Sequence, residues 1–477
     1  MSLHPDRLFA ASGPELGLAR DLYGAIENLA IVSPHGHTDP SWFAGNRNFS
    51  DAASQFLTPD HYVLRMLRSQ GLTYEALGLA RKGEAPKVSG LEAWLLFAKN
   101  FHLFDGTPTR LWIDHALHWA FGIGEELNAS SARRIYEAIT QRLAGDDLKP
   151  MAVLDRAKVE VIATTEFALD PLLHHQTLKD KGLIGRIRTT YRPDDVTDPA
   201  NPAFIGNLLR LGEITNEDVG DWGGMIAAHA KRRAFFRSMG ATATDHGVPD
   251  AMTADLAPDE KQMLLGQALS DELDDRGKAM FRAQMMTEMA ALSVEDGMVM
   301  QLHAGSSRNT DPQLMTEYGP NLGADIPTPG DFIHGLQPLL SRFGTAPGFR
   351  LIAFTLDETI YARELAPMAG YWPCLMIGPP WWFHDSPHGI RRYLDQVVET
   401  AGFRNLAGFN DDTRALLSIP ARHDVWRREI CRFLAKLVAG HQLSKPSAME
   451  LARYLAYDAA KAAYRLGSYC WRNTSPS

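Results

Sequence analysis

Two histidines follow an apolar run in the segment Ile31-Val32-Ser33-Pro34-His35-Gly36-His37-Thr38-Asp39-Pro40. Residues two positions apart on an extended backbone point to the same side, so the side chains of His35 and His37 can converge just beyond a strand end. Two neutral imidazoles in this arrangement suit a divalent transition metal. Ordinary partly buried histidines form the same short motif more often, so the rest of the chain has to supply the remaining ligands.

The composition indicates a globular protein without a nucleic-acid or membrane partner. The chain has 477 residues, of which 45% are hydrophobic and 22% charged, and its net charge is −9. Nucleic acid and anionic membranes both require a basic surface, which this charge disfavours. Three dispersed cysteines, Cys374, Cys431 and Cys470, and the lack of a signal-peptide pattern predict a cytoplasmic protein. The size and the many apolar helices predict a homo-oligomer.

Strand and helix patterns alternate through most of the chain. About eight strand-helix units are the number that closes a barrel, so the sequence predicts an α/β fold, a (β/α)8 TIM-like barrel. The stretch from 40 to 150 lacks a strand pattern and is interpreted as a helical insertion after the first strand, which divides the chain into 1–39, 40–150 and 151–477. The predicted strands are 29–33, 159–164, 186–191, 241–244, 298–303, 351–355, 374–377 and 406–409.

Polar side chains repeatedly follow the predicted strands, at the end of the barrel where such folds place their active sites. One group is a predicted metal site, made by His35, His37 and a carboxylate from either Asp411 or Asp412. Three protein ligands would leave a position open for water or substrate.

Four more of these side chains are candidates for substrate binding. Arg192 and Arg414 can clamp an anionic group, because a guanidinium fork matches a carboxylate, or they can pair with neighbouring aspartates. Trp381 and Trp382 can stack on a sugar face or pack in the core.

The other groups at the strand ends have structural alternatives. Asp245 and Asp357 can cap the helices that follow them. His246 is expected to be a hydrogen-bonded surface residue, and Glu166 is either a site carboxylate or a charge at a helix start.

Five short motifs stand at or near predicted strand ends: Ser33-Pro34-His35-Gly36-His37-Thr38-Asp39-Pro40, Arg192-Pro193-Asp194, Gln301-Leu302-His303, Trp381-Trp382-Phe383 and Asp412-Thr413-Arg414. A sixth, Asp60-His61-Tyr62, lies in the helical insertion. Together they resemble the uronate isomerase family, also called glucuronate isomerase, of the amidohydrolase superfamily. The resemblance runs from the first helix to the last and includes the helical insertion. The late Asp-x-Arg, the double tryptophan and the early Asp-His-Tyr carry most of its specificity.

This resemblance implies a metal-assisted aldose–ketose isomerisation of D-glucuronate to D-fructuronate and of D-galacturonate to D-tagaturonate. It implies that His35, His37 and Asp412 bind one divalent ion, usually zinc. Arg192 and Arg414 would then bind the substrate carboxylate and nearby oxygens.

It also implies that His61, Tyr62 and His303 line the site. Such an isomerisation moves a proton from C2 to C1 of the open-chain sugar acid. We assign Asp412 as the base at C2 and Tyr62 as the group that moves the hydroxyl proton.

Two other functions compete with this interpretation. A metal-dependent hydrolase of a small anionic lactone or amide would use a second metal, bridged by Glu166. A sugar-acid binding protein that has lost catalysis would need no metal, and the intact set of His35, His37, Asp412 and Arg414 argues against it.

Overall fold

The computed structural model describes residues 3–467. Seven strands lie side by side in chain order, each parallel to the next. A parallel bridge between Ile377 and Leu406 adds an eighth position. The strands are β1 Ile31–Ser33, β2 Val159–Ala163 continued by Glu166–Phe167, β3 Ile187–Arg188 continued by Tyr191–Arg192, β4 Ala243–His246, β5 Val299–Ala304, β6 Leu351–Thr355 and β7 Leu375–Ile377.

The segment at the eighth position lies beside β1, which closes the barrel. The backbone N–H of His37 donates to the carbonyl of Thr413 at 3.0 Å, which joins the end of β1 to the segment after Leu406. The predicted (β/α)8 barrel is therefore confirmed. Seven of the eight predicted strands form within three residues of their expected bounds, whereas the eighth contributes only the bridge at Leu406.

Helices surround the barrel and separate its strands. The helices outside the insertion are Pro14–Ile26, Pro150–Arg156, Leu173–Asp180, Asp194–Thr197, Phe204–Thr215, Trp222–Ser238, Pro258–Leu269, Asp275–Asp296, Pro312–Glu317, Phe332–Phe343, Ala366–Ala369, Pro387–Ala401, Ile419–Ala439, Lys445–Arg453 and Ala459–Ala463.

The segment 40–150 after β1 forms helices joined by turns and loops and contains no strand, as expected. Its buried apolar residues form one cluster that also takes in Ile31 and Val159, so the insertion packs against the outer side of β1 and β2. The domain bounds 1–39, 40–150 and 151–477 stay a prediction. The helices of the insertion are Pro40–Gly45, Ala52–Phe56, His61–Ser69, Gly90–Lys99, Pro108–Phe121 and Ala132–Leu143.

Alternation along each strand separates the barrel interior from its outer layer. In β5, Met300 and Leu302 pack with the large cluster formed by the surrounding helices, whereas Val299 belongs to a small interior cluster. Because side chains alternate, Gln301 and His303 also point inward. His303 therefore lies at the C-terminal end of the barrel interior, where barrel enzymes place their sites.

Two further sequence expectations concern single features of the chain. Within residues 3–467, no helix is both long and apolar enough to cross a membrane. Cys374 and Cys431 are free and buried. Cys470 lies outside the described residues.

Candidate metal centre and active site

Four side chains meet at the C-terminal end of the barrel. The Nε2 atoms of His35 and His37 lie 3.4 and 3.2 Å from Oδ1 of Asp412. His35, His303 and Asp412 each offer a ligand atom within 4.8 Å of the other two. The structure thus brings together the three predicted ligands and places His303 beside them.

The unsatisfied atoms of this cluster fit a divalent metal ion. Nδ1 of His303 lies 2.6 Å from a carboxylate oxygen of Asp245. Because a carboxylate can only accept, the hydrogen lies on Nδ1 and Nε2 keeps its lone pair. This Nε2 and Oδ1 of Asp412 are buried without a hydrogen-bond partner among the described residues. Unpartnered buried polar atoms are costly, and one cation would satisfy both of them.

The charge states suit the same ion. Burial opposes ionisation of Asp412, but the imidazoles of His35 and His37 outweigh it and hold the pKa of Asp412 well below its usual value. Burial lowers the pKa of His37 to about 4 and also lowers the pKa of His303. For His35, burial is outweighed by the Asp245 and Asp412 carboxylates, which raise its pKa. A cation at the cluster would compete with this last proton.

The choice between the two adjacent aspartates follows from the backbone. Asp411 points its Oδ2 to Nε2 of His423, 3.1 Å away on the helix behind the barrel. Asp412 has a φ of +39°, in the left-handed region that non-glycine residues rarely occupy. This conformation turns the second carboxylate toward the histidines, so the geometry favours Asp412 over Asp411 as the ligand.

Arg192 is already paired with two carboxylates. Its Nε donates to Asp194 at 2.7 Å and its Nη1 to Asp245 at 3.0 Å. This is the ion-pair arrangement that the sequence left open as an alternative to a substrate clamp.

The sequence left helix capping open as a role for Asp245 and Asp357. Asp245 is buried between Arg192 and His303 and does not cap a helix, so the capping role is wrong for Asp245. The capping role is confirmed for Asp357, whose side chain accepts a hydrogen bond from the backbone N–H of Thr359 at 3.0 Å.

Two guanidinium groups near the cluster lack such partners. Within residues 3–467, Arg414 and Arg308 form no ion pair and donate no hydrogen bond. Burial lowers the pKa of both guanidinium groups. Asp412 lies close enough to Arg414 to oppose that shift. Arg308 was missed in the sequence because it follows the two-residue strand Ser306–Ser307, which lies outside the predicted barrel strands.

An aromatic wall faces the cluster. The ring of His61 stacks on Trp382 at 5.2 Å, and the guanidinium of Arg308 lies 5.4 Å from the centre of the same indole. Trp381 packs against His303 at 4.7 Å. Trp381 and Trp382 are 5% and 8% exposed, so both are largely packed and leave little surface for a ligand. Burial lowers the pKa of His61 to about 3, which keeps this ring neutral.

The insertion and the loop after β5 hold His61 in place together. Asp60 caps the helix His61–Ser69 by accepting from the backbone of Tyr62 at 2.9 Å. The loop contributes Gly323, whose φ is +91° and whose Cα lies so close to His61 that a Cβ would sit 2.8 Å from its carbonyl oxygen. Only glycine fits such an approach at positive φ.

Two strand-end residues have positions that differ from expectation. His246 is buried and bonded to the Thr244 hydroxyl at 2.9 Å, so its interpretation as a surface residue is wrong. Glu166 is also buried. It accepts from the hydroxyl of Thr189 and lies 3.8 Å from His175, on the helix Leu173–Asp180. It stands neither at a helix start nor in the metal-capable cluster.

The fold and the site together define a class: barrel enzymes that act through a metal held at the C-terminal strand ends. The family model described as UxaC, glucuronate isomerase, matches residues 15–464. The chain therefore belongs to the glucuronate isomerase family.

The similarity to individual relatives extends over nearly the whole chain. A uronate isomerase of Sphingopyxis alaskensis is 50% identical over 468 residues, which cover 97% of this chain and 99% of the relative. The structure is similar to that of glucuronate isomerase from Caulobacter crescentus, with a TM-score of 0.96 and 46% identity over 98% of each chain. It is also similar to uronate isomerase from Thermotoga maritima, with a TM-score of 0.90 and 28% identity over 97% of this chain and 100% of the other.

The buried carboxyl of Glu166 predicts a pH-dependent stability. Burial raises its pKa to about 8, above the value of about 4.3 expected in the unfolded chain. The folded state therefore binds the proton more tightly, and this contribution to stability is lost as the pH rises toward 8. The slope from this group approaches about 1.4 kcal/mol per pH unit. We expect Glu166→Gln to flatten the fall in unfolding free energy between pH 5 and 8, measured by urea denaturation. An unchanged slope would contradict the protonated assignment.

The geometry of the two aspartates predicts which one retains metal. Asp412→Ala is expected to weaken metal affinity at least about 100-fold, beyond the loss typical of outer-shell changes, whereas Asp411→Asn should retain the metal. Metal content after dialysis measures this directly. A chelator should lower the melting temperature of the unmutated protein and of Asp411→Asn, because a ligand that binds only the folded state stabilises it. The opposite pattern would identify Asp411 as the ligand.

Proposed function

We propose that this member of the glucuronate isomerase family interconverts D-glucuronate with D-fructuronate and D-galacturonate with D-tagaturonate. The observation that carries the proposal is the metal-capable cluster of His35, His303 and Asp412 with the guanidinium of Arg414 nearby, which forms no ion pair within residues 3–467. A sugar acid presents hydroxyl and carbonyl oxygens to a cation and a carboxylate to a guanidinium, so one small molecule can satisfy both.

We propose zinc as the ion. His35, His37 and Asp412 are the expected ligands, and His303 is a further nitrogen within reach of the same point. Imidazole and carboxylate donors with an open position suit zinc, and the buried surroundings hold the ligands in fixed orientations. When bound, such a cation supplies Lewis-acid stabilisation of negative charge that develops on substrate oxygens.

We assign the substrate carboxylate and hydroxyls to the guanidinium groups of Arg414 and Arg308. Arg414 and Arg308 have donors to offer, whereas Arg192 has committed its Nε and Nη1 to Asp194 and Asp245. We therefore assign Arg192 to hold Asp245, which in turn orients His303. Trp381 and Trp382 form the wall against which the sugar lies.

The proton transfers are assigned to two side chains. Asp412 is ionised at neutral pH and can take the proton from C2. Burial raises the pKa of Tyr62 well above its usual value, so its hydroxyl keeps a proton and can exchange it with the substrate oxygens. His61 stays neutral and fixes the aromatic wall beside them.

A hydrolase would need different groups. Residues 3–467 contain a single group that could hold a metal, and Glu166, the expected bridge to a second ion, lies against His175 instead. These observations favour the isomerase.

The test is incubation with D-glucuronate and D-galacturonate, followed by a ketose assay. Arg414→Met and Arg308→Met should each lower kcat/KM by about 10- to 100-fold, as loss of a charge-assisted hydrogen bond predicts. Arg342→Met is the control, because Arg342 forms an exposed ion pair with Asp255 at 2.9 Å. D-Glucose, which lacks the carboxylate, should be a poor substrate. Failure to form ketose, or equal rates with D-glucose, would contradict the proposal.

A further inference from the structure

Tyr62, Asp385 and Arg422 form a buried chain of contacts beside the site. The hydroxyl of Tyr62 donates to Oδ1 of Asp385 at 2.8 Å, and Nη1 of Arg422 lies 2.5 Å from the other oxygen, Oδ2. The side chains of Arg422 and Asp385 are 6% and 10% exposed. One carboxylate thus contacts a phenol through one oxygen and a guanidinium through the other.

Three separate parts of the chain supply these residues. Tyr62 comes from the first turn of an insertion helix, Asp385 from the loop after β7, and Arg422 from the helix Ile419–Ala439. Arg422 also donates to the carbonyl of Asp411 at 3.2 Å, and its guanidinium lies 3.6 Å from the ring centre of Trp112. The chain of contacts therefore fixes the insertion to the loops that carry the metal-capable cluster.

The hydrogen bond sets the direction in which Tyr62 can act. A carboxylate cannot donate, so the phenolic hydrogen points to Asp385 and the lone pairs of the phenolic oxygen remain for the substrate. Arg422 balances the charge of Asp385, which would otherwise be a costly buried anion. In this arrangement Tyr62 can accept a proton from a substrate hydroxyl only if it passes its own proton to Asp385.

We propose that Asp385, held by Arg422, is a positioning residue that orients the Tyr62 hydroxyl and receives its proton during the isomerisation. This inference rests on the proposed function. The substrate O2–H proton moves to the phenolic oxygen while the phenolic proton moves to Oδ1 of Asp385. The proton then returns from Asp385 to Tyr62 as Tyr62 delivers one to O1. One proton has moved from O2 to O1, and both side chains end as they began.

The chain offers a matched control outside the site. Asp424 accepts from the hydroxyl of Tyr23 at 2.5 Å and pairs with Arg428 at 2.9 Å and with Arg7 at 2.5 Å. Its side chain is 11% exposed, against 10% for Asp385. Asp424→Asn therefore removes the same kind of buried charge from a tyrosine–arginine contact that does not face the substrate.

The experiment is a double-mutant cycle on the metal-loaded enzyme with D-glucuronate. We expect Asp385→Asn to lower kcat about 30-fold, within the range of general acid–base effects, with KM changed less than about threefold. Tyr62→Phe should lower kcat at least as much, and the double variant should lose no more than Tyr62→Phe alone. Asp424→Asn should keep kcat within about twofold.

Each other outcome has a definite meaning. If the unmutated enzyme forms no ketose, the proposed function fails and this inference falls with it. If the unmutated enzyme is active, an unchanged kcat in Asp385→Asn, an unchanged kcat in Tyr62→Phe, or multiplicative losses in the double variant would each overturn the inference alone. Asp385→Glu replaces Asp385→Asn if the latter unfolds below the assay temperature. It keeps the carboxylate but displaces it, so kcat should still fall, and full activity would overturn the inference.

Discussion

The contact between the first and the last strand positions of the barrel is what the rest of the site depends on. Nε2 of His35 and His37 approach one oxygen of Asp412, and the backbone of His37 bonds to Thr413 beside it. Since these residues come from opposite ends of the chain, the cluster exists only when all the intervening strands have paired in order. The helical insertion does not interrupt this closure because it leaves and returns on the outer side of β1 and β2.

Charge balance explains why so many ionisable groups can be buried here. Asp245 contacts Arg192 and His303, and Asp412 contacts two imidazoles, so each buried anion has partners. An isolated buried charge would cost several kcal/mol or change its protonation state. Among the site groups that the structure describes, Nε2 of His303 and Oδ1 of Asp412 have no hydrogen-bond partner, and the guanidinium groups of Arg308 and Arg414 form no ion pair. These are the groups that a metal ion and an anionic substrate would satisfy.

The sequence predicted the repeating parts of the structure and the ends of its strands. Strand alternation and helical periodicity located the barrel, and the His35-x-His37 pattern located one side of the site. Sequence could not separate Asp411 from Asp412, because the difference lies in a left-handed backbone conformation. It missed Arg308, Asp385 and Arg422 because a loop or a helix carries each of them, and only the folded chain brings them to the site. It also could not show that Asp245 engages Arg192, since that contact joins two strand ends across 53 positions.

Anomalous scattering from crystals of the metal-loaded protein tests the central claim most directly. We predict one peak per chain, about 2.0–2.2 Å from the ligand atoms of His35, His37 and Asp412, as first-row metal bonds require. The distance of this peak from Nε2 of His303 would show whether that ring is a fourth ligand. A peak at Asp411 and His423, or a peak bound by only one of the two histidines after β1, would contradict the account.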